Sequence, residues 1–520
     1  MAEQSRRRSR IMVLVPLLAG LALVGLVGSS LSSPFAAAAK KSTAPTDAYT
    51  VYRTTADGGE PTIGFDTARN AAVYGAGTDD KRLTWDDSTV PATMTVAPAK
   101  AGTSLTTLDA ITFTDQNTNR TFVSQLAAAC SLFSFSDDAG TTYTPGQGCG
   151  IGTVLDHQTV GGGPFHAGAA LQATGGYRDA VYYCAQDSYN GGCATSTDGG
   201  LTFGPVTPAY NTPANDPSDP DPTLAAEGGA CSALHGHLRV GPDGTAYLPI
   251  KGCGGTATAG NLTNTEFFGG HPSVSVSTDN GASYQIHRVD AGNNSDESDP
   301  SVAVGRGDKV SGGRVYLGWE DGVNPSETTY GTTSAARISV STDHGHTWST
   351  PVDVSTPLGV NNVQFPEVIA GDDSRAAFAW LGTNAVGDDQ HNGFVGPDGN
   401  PAVWHLYVSR TFDGGSTWTT VDTTTNDPVQ RGCVDLQGTS NKTVTDENIC
   451  SQRNLLDFND ITVDKQGRVL VAYADGCTGS CVSDPTVLST GKTGSVLRQS
   501  TGRGLYAAYD GTIGVQPKHH

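Results

Sequence analysis

The chain has 520 residues, of which 16% are charged and 66 are glycine, and its formal net charge is −21. Such an acidic chain offers no basic stripe for a phosphate backbone, so nucleic acid is excluded as a partner. The 37% of apolar residues can fill a large core, which excludes disorder over most of the length. The glycine excess, with abundant Ser, Thr, Asn and Asp, reads as many short strands joined by tight turns.

The first element is an address. Arg6, Arg7, Arg8 and Arg10 form a basic region, Ile11 to Val27 is an apolar run, and Ala37, Ala38 and Ala39 are small residues before Lys40. This is the pattern of a secretory signal peptide, so residues 1–39 are set apart from the fold and a secreted, extracellular protein is expected. No other stretch is apolar and long enough to span a bilayer, so no membrane partner is expected after cleavage. Residues 40–49 read as a short N-terminal segment, 50–515 as the folded domain and 516–520 as a tail.

Within the domain, pairs of short strands recur. They are Glu60–Gly64 with Ala71–Tyr74, His166–Leu171 with Asp179–Tyr183, and Leu234–Val240 with Thr245–Ile250. Then follow Asp299–Val304 with Arg314–Trp319, Phe365–Ile369 with Ala376–Trp380, and Phe458–Val463 with Arg468–Tyr473. A fixed motif, Ser/Thr-x-Asp-x-Gly-x-Thr/Ser-aromatic, punctuates them at Ser136–Tyr143, Ser196–Phe203, Ser277–Tyr284, Ser341–Trp348 and Thr411–Trp418. Its Asp can accept backbone N–H groups of its own turn, and its Gly permits positive φ. A fixed motif at a variable period means one supersecondary unit with variable loops.

These five motifs resemble the Asp box, or BNR repeat, of the sialidase superfamily. The resemblance covers roughly residues 50–515 and implies a β-propeller; the six strand pairs count as six blades, so the fold expected is an all-β, six-bladed β-propeller of four-stranded antiparallel blades. The strands of a blade are labelled a to d outward from the axis, and the motifs are c-to-d turns. Alternating direction then puts starts of a strands and ends of b strands on the opposite face, the mouth. Residues expected there include Glu60, His157, His166, His235, His237, Asp299, Glu367 and Asp460, with Lys251, Trp319, Glu320, Asp321, Trp380 and Asp475 from b strands.

Close carboxylates split their pKa values into one acid and one base. The working carboxylates are expected among Glu60, Asp299, Glu320 and Glu367, with His166 and His235 as proton carriers and Trp319 and Trp380 as flat faces for sugar. The resemblance implies an arginine clamp for a substrate carboxylate, for which Arg53, Arg337 and Arg453 stand nearest the expected places. At the first, Tyr52-Arg53 is followed by Thr54-Thr55 where the family has Ile-Pro. A sialidase-like glycoside hydrolase acting on extracellular glycans follows as the expectation. A non-catalytic carbohydrate- or protein-binding propeller and a uronate-polysaccharide lyase are the alternatives. No cofactor is required, and a structural Ca2+ is expected in acidic loops at Asp219, Asp221 and Asp296. A monomer is expected.

Ten cysteines, an even number in an exported chain, favour disulfides between near neighbours. The pairs expected are Cys130–Cys149, Cys184–Cys193, Cys231–Cys253, Cys433–Cys450 and Cys477–Cys481.

Overall fold

Each Ser/Thr-x-Asp-x-Gly segment folds into a turn closed by its own side chains. In the one at Asp343, the carboxylate accepts Ser341 Oγ at 2.8 Å, Thr347 N at 2.9 Å and Thr347 Oγ1 at 2.6 Å. Ser341 Oγ in turn accepts Gly345 N at 2.9 Å. The turns at Asp138, Asp198, Asp279 and Asp413 repeat the scheme. The residue after each Asp has positive φ, as in Ala139, Asn280 and His344 at 55°, 63° and 63°, and the Gly that follows does too. Only glycine adopts that backbone without steric cost, which fixes the motif's invariant position.

In this computed structural model, the described residues are 47–77, 79–99, 108–127, 130–148, 156–186, 190–211, 231, 234–253, 271–289, 294–295, 298–308, 311–322, 333–390, 392–434, 450 and 452–514. They form seven antiparallel sheets. Blade 1 is Thr62–Asp66, Ala71–Ala76, Asp79–Asp86 and Thr93–Pro98, and blade 2 is Leu108–Asp115, Arg120–Ala127, Cys130–Ser136 and Thr144–Pro145. Blade 3 is Asp156–Pro164, Asp179–Gln186, Asn190–Ser196 and Thr207–Asn211, and blade 4 is Arg239–Val240, Ala246–Cys253, His271–Ser277 and Gln285–Arg288. Blade 5 pairs Asn294–Ser295 and Ser301–Val304 with Val315–Gly322, followed by Ser334–Ser341 and Val352–Asp353. Blade 6 is Asn362–Ala370, Ala376–Thr383, Val403–Thr411 and Thr419–Asp422. Blade 7 takes Asp460–Val463, Val469–Asp475 and Thr493–Thr501 from the C-terminal end and Ala48–Asp57 from the N-terminal end. The innermost strands of successive blades touch in a closed ring. The fold is an all-β propeller.

The propeller has seven blades, not six. The expectation merged blades 1 and 2, because the c-to-d turn of blade 1, Asp86-Asp87-Ser88-Thr89, lacks the Gly of the repeat. Ring closure also differs: Tyr52 and Arg53 lie on the outermost strand of blade 7, pairing with Val496 and Ser495.

Apolar residues of facing sheets fill the space between blades. Tyr74, Trp85, Leu470 and Val496 pack between blades 1 and 7. Trp380 stacks on Tyr407, centroids 4.4 Å apart. Near the axis the strands converge so closely that only small residues fit. A Cβ on Gly161 would come within 2.6 Å of Leu238, and one on Gly64 within 2.1 Å of Thr114 Oγ1.

Among the described residues, four disulfides join Cys184–Cys193, Cys231–Cys253, Cys433–Cys450 and Cys477–Cys481. Cys149, expected to pair with Cys130, lies outside the described residues, as does the expected signal segment. Among the described residues, no helix is long and apolar enough to cross a membrane.

Candidate active site at the propeller mouth

The five motif turns and the a-to-b connections share one face, so the a strands begin at the other. There, polar side chains from several blades meet around the axis in two successive levels.

The outer level centres on His157 at the start of blade 3. Its Nδ1 is 3.0 Å from Asp299 Oδ2 of blade 5. Burial alone would raise the Asp299 carboxyl, but His157, Lys251 and His235 together hold it below the ordinary carboxylate range. His157 also favours ionisation of Asp457, which precedes blade 7. Burial wins at Asp457 and raises its carboxyl, against Arg453 and the hydrogen bond from Glu60. Arg453 Nη2 is 2.8 Å from Asp457 Oδ2. Glu60 is 5% exposed, has φ of 50° and donates its backbone N–H to Leu455 O at 3.4 Å. His235 is buried, and burial pushes its imidazole down to about 4, so it is neutral near pH 7. Its Nδ1 faces Gly236 O at 3.0 Å, while its Nε2 has no hydrogen-bond partner among the described residues.

One strand step deeper lie His237, Ser301, Glu367 and Asp460. Glu367 Oε2 accepts Ser301 Oγ at 2.9 Å. Burial, then the charge of Asp460, pushes the Glu367 carboxyl well above its ordinary value. Asp460 accepts the backbone N–H groups of Ile63 and Ile461, each at 2.8 Å, and its Oδ1 is 3.4 Å from Arg239 Nη2. Below this level an axial cavity of about 200 Å³ reaches past His237, Arg239 and Asp460 to Gln116 and Arg306 near the opposite face.

The structure distributes the expected site residues unequally. Glu60, Asp299, His235 and Arg453 belong to the outer level and Glu367 to the inner one. Glu320 is on a b strand and accepts the N–H of Ser298 at 3.0 Å, which braces the backbone beside Asp299. His166 is not on an a strand. The a strand of blade 3 is Asp156–Pro164, and His166 follows it on the a-to-b connection, donating its N–H to Asn280 Oδ1 of a motif turn at 2.7 Å. Its place is the opposite face. Trp319 and Trp380 are fully buried between blades, so neither offers a face to a sugar. Arg53 pairs with Asp475 at 2.9 Å and Asp427 at 3.1 Å, and Arg337 pairs with Asp321. With Arg453 on Asp457, the three arginines are held by different carboxylates. Asp219, Asp221 and Asp296 lie outside the described residues. Asp457 was not among the expected residues; its one signal is the Arg453-x-x-x-Asp457 spacing, without a repeat around it.

No protein-family profile matches the chain, and no curated protein matches it. Solved structures match as folds. A Hadza microbial sialidase is 12% identical with a TM-score of 0.35, covering 87% of this chain and 66% of its own. A GH74 xyloglucanase from Xanthomonas campestris is 14% identical with a TM-score of 0.41, covering 82% of this chain and 53% of its own. An α-L-arabinanase from Penicillium chrysogenum is 10% identical with a TM-score of 0.37, covering 73% of this chain and 89% of its own. The chain thus spans slightly under two thirds of the first and about half of the second.

Proposed function

We propose that this chain is a secreted, sialidase-like glycan-cleaving hydrolase whose chemistry lies at the outer level of the mouth. The observation that carries the reading is the His157–Asp299 pair at 3.0 Å, with Asp457 within electrostatic reach of the same imidazole; burial raises the Asp457 carboxyl, whereas His157, Lys251 and His235 hold Asp299 below its ordinary range against burial. Hydrolysis of a glycosidic bond needs such an unequal pair. The Asp299–His157 dyad takes a proton from water as that water bonds to the anomeric carbon. Asp457 gives its proton to the departing glycosidic oxygen as the carbon–oxygen bond breaks. Partial exposure of these side chains, 10% for Asp299, 12% for His157 and 17% for Asp457, supports this level over the more enclosed one beneath. The reaction requires no cofactor, and the motif turns serve the fold alone.

The test is a panel of sialosides, uronic-acid polymers and aryl glycosides offered to the purified protein, with turnover and binding measured together. Cleavage of one class, abolished by changes at Asp299 and Asp457, is the expected result. Binding without any turnover would replace the reading with that of a carbohydrate-recognition propeller.

A further inference from the structure

The inner level presents an arrangement that proton transfer at the mouth does not use. His237 of blade 4, Glu367 of blade 6 and Asp460 of blade 7 each offer one ligand atom, and these atoms lie within 4.8 Å of one another. All three residues are buried. Two carboxylates at this spacing repel strongly out of water, and the cation beside them, Arg239, approaches Asp460 at 3.4 Å. Asp460 also accepts the N–H groups of Ile63 and Ile461 and lies 3.6 Å from His237 Nδ1, while Glu367 accepts Ser301 Oγ, so the two enclosed acids are held by hydrogen bonds, one imidazole and one arginine. His235, two residues before His237 and 2% exposed, has an Nε2 with no hydrogen-bond partner among the described residues.

We infer that His237, Glu367 and Asp460 bind one divalent first-row transition ion on the propeller axis. An imidazole with two carboxylates is a donor set for Zn2+ or Mn2+, whereas Ca2+ and Mg2+ take oxygen donors. Three protein donors from three blades leave coordination open. His237 and Asp460 also line the axial cavity, so water or a small ligand completes the shell from that side. The ion ties blades 4, 6 and 7 together through the centre of the ring, where no ladder pairs them among the described residues. This site is independent of the catalytic reading, because it uses none of His157, Asp299 and Asp457.

The experiment uses the full chain, stripped with chelator and titrated with Zn2+ and with Mn2+ by calorimetry, alongside melting curves. About one equivalent should bind, and the melting temperature should rise with ion concentration, as it must when only the folded state binds. His237→Gln and Asp460→Asn should each weaken binding at least about tenfold, because loss of even an outer-shell partner of a metal ligand typically costs about 10–100-fold. His157→Gln should bind as the wild type does. Absence of both heat and thermal shift with either ion, or unchanged affinity in both ligand variants, would overturn the inference. Should those variants fail to fold, pulsed EPR on the Mn2+-loaded wild type decides. A histidine nitrogen coupling is expected, and its absence overturns the site.

Discussion

His157 Nδ1 meets Asp299 Oδ2 at 3.0 Å, and the contact links blade 3 to blade 5 across the start of blade 4. The pair joins two blades that share no strand ladder, since each described ladder runs within one sheet. It also fixes the imidazole. With the proton on Nδ1 directed at the carboxylate, Nε2 is the basic nitrogen. The same logic orients histidine in hydrolytic triads, with the carboxylate holding the tautomer.

Asp299→Asn should therefore cut turnover by about 10²–10⁴-fold, the usual contribution of a positioned base system. The neutral amide keeps the shape but reverses the preferred tautomer. His157→Gln should fall in the same range. Circular dichroism and melting curves must show folded protein in both cases. Full activity in either variant, on a substrate the wild type cleaves, would place the chemistry elsewhere.

Asp457 makes a distinct prediction about pH. Its carboxyl is raised by burial, so its protonated form persists above the ordinary carboxylate range. As the general acid it must be protonated, so activity should decline as pH rises through its pKa, forming the descending limb of the profile. Asp457→Asn should remove that limb and leave a low, flat rate on ordinary substrates. A substrate with an aryl leaving group of low pKa, which needs little acid help, should recover much of the loss. Equal loss on both substrates would mean that Asp457 is not the acid.

The motif turns should behave oppositely. Asp343 accepts its turn's N–H and hydroxyl groups, and these bonds hold its pKa below the ordinary value despite partial burial. Asp343→Ala leaves those donors to solvent and should cost about 1.5–3 kcal/mol, the range for hydrogen bonds to a charged group. Denaturant unfolding would read that loss. The rate per folded molecule should stay within about twofold of wild type, because the turn lies on the face away from the mouth. A tenfold fall in that rate would show that the turns reach the site.

The propeller was legible because its turn is a side-chain device: Ser, Asp, Gly and Thr at fixed offsets are needed to close it, so the chemistry recurs in the letters. Blade 1 escaped because its turn, at Asp86 to Thr89, reaches its geometry without that Gly. Blade 3 was misread for a different reason. Gly161, Gly162 and Gly163 look like a loop, yet they are an axial strand stripped of side chains because Leu238 and Val240 press against it. That error displaced His166 by a whole strand length, to the opposite face. The directional rule still located Asp299, His235 and Glu367 around the axis, since it depends only on strand alternation. Trp319 and Trp380 defeated it because a position at a strand end does not say which side chains turn into the interblade core. Asp457 has only the Arg453-x-x-x-Asp457 spacing to mark it; its significance comes from His157, 300 positions away in the chain.

One last prediction concerns Asp179, the first residue of the second strand of blade 3. It is 4% exposed, and burial, then the charge of Asp115 on blade 2, pushes its carboxyl up to about 7. Asn117 Nδ2 donates to Asp179 Oδ2 at 3.0 Å, Tyr177 OH donates to Asp115 Oδ2 at 2.5 Å, and Arg178 offers a weaker opposing charge. In the unfolded chain the group titrates near the ordinary value of about 3.9. Between these two values the native state binds the proton and the unfolded state does not. Stability from this group is therefore complete below about pH 4 and falls as pH rises, until it is lost above about 7. Asp179→Asn keeps an acceptor for Asn117 and removes the charge that must otherwise develop beside Asp115. The variant should gain on the wild type as pH rises from 5 to 8, by a few degrees in melting temperature. The carboxylates of the motif turns, such as Asp138 and Asp343, have depressed pKa values. They lose their stabilising effect only as pH falls below the unfolded value, so they do not disturb this window. A melting-temperature difference between variant and wild type that stays constant from pH 5 to pH 8 would show that Asp179 is already ionised in the folded protein.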